Sequence, residues 1–450
     1  MGKRKGIWRL RYLLILAFSL RFLFFIFNQN YTYTYYVGEE IPEEAEYFKQ
    51  MIPPFDSQEF LVLAKNLANQ HRFTWAELPN TFRTPLYPTF IALFGRFAFH
   101  PLFANFLKPS GDTEATRIPL FLFFQILIGT ISVLFLFFIG KDLFGEEGGL
   151  ISAFLLAIDI PNILFNSLVM SETLLLFFLI LGTFLLFRNQ FFFSGIAFSL
   201  AALTKPIALY IFLPVFFFLL FSKKVKSAIK FLIAFSLLTF IWMARNYRYY
   251  KTFAFTSIDG YNLLYHNLPA LEMKLMGVNF YDAKEEVWRR VKEEMKDTNP
   301  FVLSQIAGRY AKKRILLHLP RYTLIHLKGM FLPLLGIKSD DLVLRLIRHK
   351  EKNGKVRQSL SDTTLPPFFK GLIFILGSWE IAIILIGLFL FLLSLFRLET
   401  RYSILLLFLL MLYFLFISSP LPDGRFRLPS LPFLYLGVAS FFRKREFNPI

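Results

Sequence analysis

Twenty-two consecutive residues, Ile118 to Ile139, carry no charged side chain. As a helix such a run crosses about 30 Å of hydrocarbon, where only helices and closed barrels satisfy every backbone N–H and C=O. Comparable apolar runs follow at Leu168 to Phe187, Leu372 to Phe396 and Ser403 to Ser418. The chain therefore reads as an all-α polytopic membrane protein.

Lys3, Arg4, Lys5, Arg9 and Arg11 precede the apolar stretch Tyr12 to Phe27. That order resembles a signal peptide, but no small-x-small cleavage site follows. The segment is expected to remain as a first helix with its basic end in the cytoplasm. Later basic turns agree with that orientation: Arg188, then Lys223, Lys224, Lys226 and Lys230, then Arg397 and Arg401, then Arg443, Lys444 and Arg445. Lys141 to Glu147, with more acid than base, is the exception, and Gly148-Gly149 reads as a turn.

The apolar stretch Phe191 to Phe221 would make one helix of about 46 Å, too long for a bilayer. Lys205-Pro206 in its middle predicts two short helices turning at the outer face. The sum is about ten transmembrane helices in one domain over 1–450, both termini inside and no separate soluble C-terminal domain. Two long segments then lie outside, Asn28 to Arg117 and Arg245 to Lys370. Pro85 to Phe106, interrupted by Arg96, His100 and Pro101, suits an interfacial helix. So does Arg309 to Gly336, with its interleaved cations, while Asp340 to Pro367 reads as a polar connector.

Composition narrows the chemistry. There is no cysteine, so disulfides, thiolate metal sites and a cysteine nucleophile are excluded. The net charge of +19 fits cytoplasmic basic loops and anionic lipid, and no basic-aromatic nucleic-acid module accompanies it. None of the six histidines has HExxH or other metal spacing, and no GxxxxGKS or GxGxxG phosphate loop is present.

Asp56 follows Pro53-Pro54 and precedes Phe60, Leu61, Leu63, Ala64 and Leu67, the spacing of an amphipathic surface helix. It can cap that helix, with Glu59 completing a capping box. It can also act as a general base, its pKa raised by an apolar surface. Glu172, in Met170-Ser171-Glu172-Thr173, either favours a helix N-terminus by charge or faces Asp56 across the membrane surface. Two such carboxylates can hold a divalent metal, Mg, Mn or Zn. Arg83, Lys205, Arg245, Arg425 and Arg427 fall at outer helix ends, against the positive-inside bias. They either snorkel at the interface or hold a lipid phosphate.

Taken in order, several motifs resemble the GT-C superfamily of membrane glycosyltransferases, in particular relatives of the protein O-mannosyltransferases and the lipid A aminoarabinose transferase. They are Asp56 to Leu67, Arg83-x-Pro85-Leu-Tyr87-Pro88, Gly140-Lys-Asp-Leu-Phe144-Gly145 and Ser171-Glu172-Thr173. Ala202-Leu-Thr-Lys205-Pro206, Arg245-Asn246-Tyr247, Gly260-Tyr-Asn262-Leu-Leu and Arg425-Phe-Arg427-Leu-Pro429 continue the series. The resemblance implies sugar transfer from a polyprenyl-phosphate donor to an extracytoplasmic lipid, glycan or protein, with inversion, in the inner or cytoplasmic membrane of a cell. It implies Asp56 and Glu172 as the family acids, and Arg83 with Arg425 or Arg427 as phosphate ligands, to which the placement of charge at the outer helix ends adds Lys205. Glu59, Tyr87, Arg245 and Asn262 become further site candidates. A single Asp at position 56, where many relatives show paired acids, departs from the pattern. A lipid-sugar flippase or a polysaccharide polymerisation component remains the alternative, although charges gathered at one face differ from the midplane charges of transporters.

Overall fold

The computed structural model describes residues 2–37, 56–75, 78–95, 120–347, 366–396, 401–420 and 423–443. Pro53, Pro54, Arg96, His100, Pro101, Arg397, Lys444 and Arg445, used above, lie outside them.

The first helix, Gly2–Val37, packs along Leu120–Phe144 and Glu146–Ala157. Gly145, at φ 88°, makes the turn between the latter two, a conformation that glycine adopts without steric cost. Gly148 and Gly149 do not mark that turn, contrary to expectation, but sit inside the returning helix. A Cβ on Gly149 would lie 2.6 Å from the Phe137 carbonyl oxygen, so the two helices approach almost backbone to backbone. Membrane helices pack this way because lipid supplies no hydrophobic drive between them.

After Ala157 the chain bends by 59° into Ile160–Asn166. Asp159 caps the new helix by accepting from the Asn162 amide at 2.8 Å, and Pro161 fits its first turn. The Leu156 and Ala157 carbonyls released at the break accept hydrogen bonds from buried Arg21 at 3.0 and 3.1 Å.

Helices Glu172–Phe187, Phe191–Thr204, Phe212–Phe221 and Val225–Tyr250 follow. The expected break is where Lys205-Pro206 put it: Thr204 ends one helix, Lys205 is extended, and a 3-10 turn covers Pro206–Ile211. Proline lacks the amide that would continue the helix and disfavours helical geometry in the residue before it. The run Leu168 to Phe187 is helical only from Glu172, which places that acid in the first turn.

Among the described residues three helices are individually long and apolar enough to cross a membrane, Phe121–Phe144, Val225–Tyr250 and Pro367–Leu395, and the bent pair makes a fourth. The larger number expected from the sequence is not reached by single helices. Breaks leave Glu172–Phe187, Phe191–Thr204 and Pro206–Phe221 shorter.

The first long segment contains Asp56–Gln70, an antiparallel pair Thr74–Trp75 with Leu78–Pro79, and Leu86–Gly95. Phe60 and Ala64 from one helix meet Tyr87, Phe90 and Ile91 from the other over Phe121, Leu122 and Ile126. The second long segment is a run of helices: Ile258–Asn262, a π turn Leu263–Asn267, Leu268–Met276, Phe280–Val291, Pro300–Leu317 and Leu319–Leu335. Ser339–Ile347 is also helix, where a polar connector was expected. Pro367–Leu395, Arg401–Ser418, a 3-10 turn Gly424–Ser430 and Leu431–Phe441 complete the fold.

Candidate active site

Asp56 and Glu59 stand one turn apart in the first turn of Asp56–Gln70, so both carboxylates face one side, where the helix dipole favours negative charge. Arg83 lies between them, its Nη2 2.5 Å from Asp56 Oδ1 and its Nε 2.5 Å from Glu59 Oε2. Glu59 is thus paired with a cation. Arg425 reaches the other Asp56 oxygen, Nη1 to Oδ2 at 3.1 Å, and sets its Nε 3.4 Å from Glu172 Oε1. Lys205 Nζ closes the chain at 2.7 Å from the same Glu172 oxygen. Acids and cations alternate along Glu59, Arg83, Asp56, Arg425, Glu172 and Lys205, and their formal charges cancel.

Exposure decides which acid can meet a substrate. The Asp56 side chain is 30% exposed, whereas Glu59 and Glu172 are 1% and 3% exposed. Burial alone would raise the Asp56 pKa, as the sequence reading expected. The charges of Arg83, then Arg425 and Lys205, outweigh burial and hold it well below the usual carboxylate range. Glu59 goes the other way: burial raises it beyond what Arg83 offsets, and the Asp56 charge adds to the rise. Two groups keep bonding capacity inside the cluster, since Glu172 Oε2 and Arg425 Nε are buried with no hydrogen-bond partner among the described residues.

The frame around the cluster explains several motif residues. Asn80 Oδ1 accepts from the Arg83 amide at 2.8 Å, and Arg245 donates to the Asn80 and Phe73 carbonyls at 2.8 and 3.1 Å. Arg245 is stacked on Trp242, 4.7 Å from the ring centroid, so it braces the hairpin and does not enter the cluster. Tyr87 donates to Gln125 Oε1 at 3.0 Å, and Gln125 Nε2 donates to the Leu168 carbonyl at 2.7 Å, just before Glu172. Asn262 ends the helix Ile258–Asn262, its carbonyl accepting from Asn267 Nδ2 at 3.1 Å.

Arg427 does not join Arg425. It is fully buried, paired with Glu380 and donating to the Leu334 carbonyl at 3.2 Å. Glu380 also accepts from the amides of Lys338 and Ser339 at 3.0 and 2.9 Å. Lys338 Nζ lies 3.0 Å from Asp423, whose Oδ1 accepts from the Arg425 amide at 2.8 Å. Arg425 is therefore held from both sides, by Asp423 to Lys338 before it and by Arg427 to Glu380 after it. Sequence reasoning overlooked Gln125 and Glu380. Each is a lone polar residue within an apolar run, the pattern that marks a committed partner in a membrane core.

Asp56 and Glu172 are linked through the Arg425 guanidinium, which occupies the position a shared metal ion would need. Among the described residues no three His, Asp or Glu side chains are grouped to hold one. This donor set does not fit a divalent ion.

No curated protein sequence matches the chain. Over 97% of its length it is similar to the archaeal oligosaccharyltransferase AglB from Archaeoglobus fulgidus, in complex with an inhibitory peptide and a dolichol-phosphate, at 12% identity and a TM-score of 0.45. Over 96% it is similar to an Archaeoglobus fulgidus oligosaccharyltransferase complexed with Zn and sulfate, at 13% identity and a TM-score of 0.41. The chain spans about half the length of each, 50% and 48%. The segment that carries Glu172 and Lys205, residues 116–244, matches the dolichyl-phosphate-mannose-protein mannosyltransferase family, a GT-C-type family of the kind its motifs resemble.

Proposed function

We propose that this membrane protein is an inverting glycosyltransferase that moves a sugar from a polyprenyl-phosphate donor to an acceptor at the extracytoplasmic face of the cytoplasmic membrane. About ten spans, several built from short helices, would carry it. The observation behind this reading is the junction at Arg425, which ties Asp56 of the first loop to Glu172 and Lys205 of the family-matched segment.

The charge-balanced cluster suggests how the reaction would run. An arriving phosphate competes with the carboxylates for Arg425, Lys205 and Arg83, which supply forked and point-charge donors. As these cations turn to phosphate, Asp56 loses the charges that suppress its basicity, and its pKa climbs toward the ordinary range. Donor binding would thus activate the base. The acceptor oxygen attacks the anomeric carbon opposite the phosphate and passes its proton to Asp56. The carbon–oxygen bond to phosphate breaks, and the electron pair stays on the phosphate oxygen facing Arg425 and Lys205.

Donor binding tests the assignment. With purified protein in nanodiscs, Arg425→Ala and Lys205→Ala are expected to weaken polyprenyl-phosphate binding at least tenfold, about 1.4 kcal/mol each. Unchanged affinity in both variants would remove the phosphate site.

A further inference from the structure

The second long segment brings to the Asp56 cluster groups that phosphate handling leaves unused. Between Ile258–Asn262 and Leu268–Met276 the chain widens into the π turn Leu263–Asn267. Single π turns recur at functional sites because the extra residue re-aims a side chain. The side chain of interest is His266.

Its imidazole stands edge-on to Tyr261, ring centroids 5.6 Å apart at 88°, and close enough to Asp56 and Arg425 to feel both charges. His266 Nδ1 is buried and has no hydrogen-bond partner among the described residues. A folded chain rarely leaves a buried ring nitrogen unmatched, so such an atom points to a ligand. Burial, reinforced by Lys284 and Arg425 and opposed by Asp56, pushes the ring down to about 4, so it is neutral and can accept one hydrogen bond. Tyr261 packs against Phe82 at 5.3 Å and Tyr265 at 4.6 Å, and Phe82 in turn lies under the Arg83 guanidinium. Tyr261 therefore borders the cluster. Tyr210, exposed on the turn after Lys205, lies within electrostatic reach of Asp259, two residues before Tyr261.

We infer that Tyr261 and His266 form the acceptor subsite, built for a neutral, hydroxyl-rich ring whose hydroxyl donates to His266 Nδ1. The inference rests on the transfer reading above. The cluster is already charge-balanced, so a neutral acceptor adds no charge to it, while the cations remain available for phosphate. An aromatic surface with its negative face suits the C–H side of a sugar ring, and one imidazole nitrogen fixes its rotation. Two acceptor atoms, Nδ1 and an Asp56 oxygen, would hold two hydroxyls and aim one at the anomeric carbon.

The test uses the full chain in nanodiscs with polyprenyl phosphate present, and methyl mannoside, glucoside and galactoside as probes in saturation-transfer NMR. At least one glycoside is expected to bind. His266→Leu and Tyr261→Leu are expected to weaken that binding tenfold or more. His266→Asn, whose Oδ1 stands in for Nδ1, should restore it, with polyprenyl-phosphate affinity the same in all three variants. In the unaltered protein the His266 Nδ1 resonance should shift when the glycoside is added, a readout that does not depend on any variant folding. Binding insensitive to His266, no shift at Nδ1, or binding of a serine-containing peptide where no glycoside binds would each overturn the subsite. Failure of the unaltered protein to bind polyprenyl phosphate would instead defeat the transfer reading, and the subsite with it.

Discussion

Arg425 Nη1 lies 3.1 Å from Asp56 Oδ2, although 369 positions separate the two residues. This contact joins the first loop to the turn before the last helix. It also makes one guanidinium answerable to two acids, because Glu172 lies on its other side. Whatever draws Arg425 away changes the charge felt by both carboxylates.

The backing of Arg425 predicts a stability effect. Glu380→Ala leaves Arg427 buried without its counter-ion, which should lower stability by about 3–5 kcal/mol. The double variant Glu380→Leu with Arg427→Met, which removes both charges, should recover most of that loss. Denaturation in detergent measures both, and a loss under about 1 kcal/mol in the single variant, the scale of an exposed pair, would contradict the buried-pair account.

His266 predicts a pH window. Its folded pKa is pushed down to about 4 by burial, Lys284 and Arg425, against Asp56, while the unfolded ring titrates near about 6.5. Between those values the unfolded chain binds the extra proton, so stability is present above the unfolded value and falls as pH drops through the window. In His266→Asn that part of the thermal-midpoint slope should vanish. An unchanged slope would show that other groups produce it.

Gly149 predicts a packing effect. A side chain there would press on the Phe137 carbonyl, 2.6 Å from the new Cβ. Gly149→Val should cost about 1–3 kcal/mol as overpacking, read as a lower thermal midpoint. An unshifted midpoint would mean that the helices part freely.

The turn at Lys205 predicts accessibility. The chain has no cysteine, so Lys205→Cys in intact cells gives a clean label site. Labelling by a membrane-impermeant maleimide is expected from outside; labelling only after permeabilisation would place the cluster on the other face.

Much of this organisation was legible because it depends on local pattern. Apolar runs marked the helices, and Lys205-Pro206 marked the break, since proline acts on its own neighbours. Asp56, Arg83, Glu172, Lys205 and Arg425 were each visible as a charge at a helix end. Their pairing was not, because it joins positions far apart in the chain. The same limit hid the sign of the Asp56 shift: an apolar surface raises a carboxylate, and only the fold reveals three cations around it. Arg427 shows the reverse error. Two residues from Arg425 in sequence, it turns inward to Glu380, whose place in an apolar run gave no hint of its partner. The helix lengths were less legible, because hydropathy ignores the breaks after Ala157 and Thr204 that shorten the apolar helices.

The base assignment is tested most directly by Asp56→Asn, assayed for transfer of labelled sugar from a polyprenyl-phosphate donor in proteoliposomes, beside donor binding to the same sample. The substitution removes the proton acceptor and relieves Arg83 and Arg425 of one carboxylate. Transfer should therefore fall by about 10²-fold or more, the share of a general base, while donor affinity stays the same or rises. Transfer at the level of the unaltered protein, or a loss of donor binding that accounts for the whole defect, would contradict the role given to Asp56.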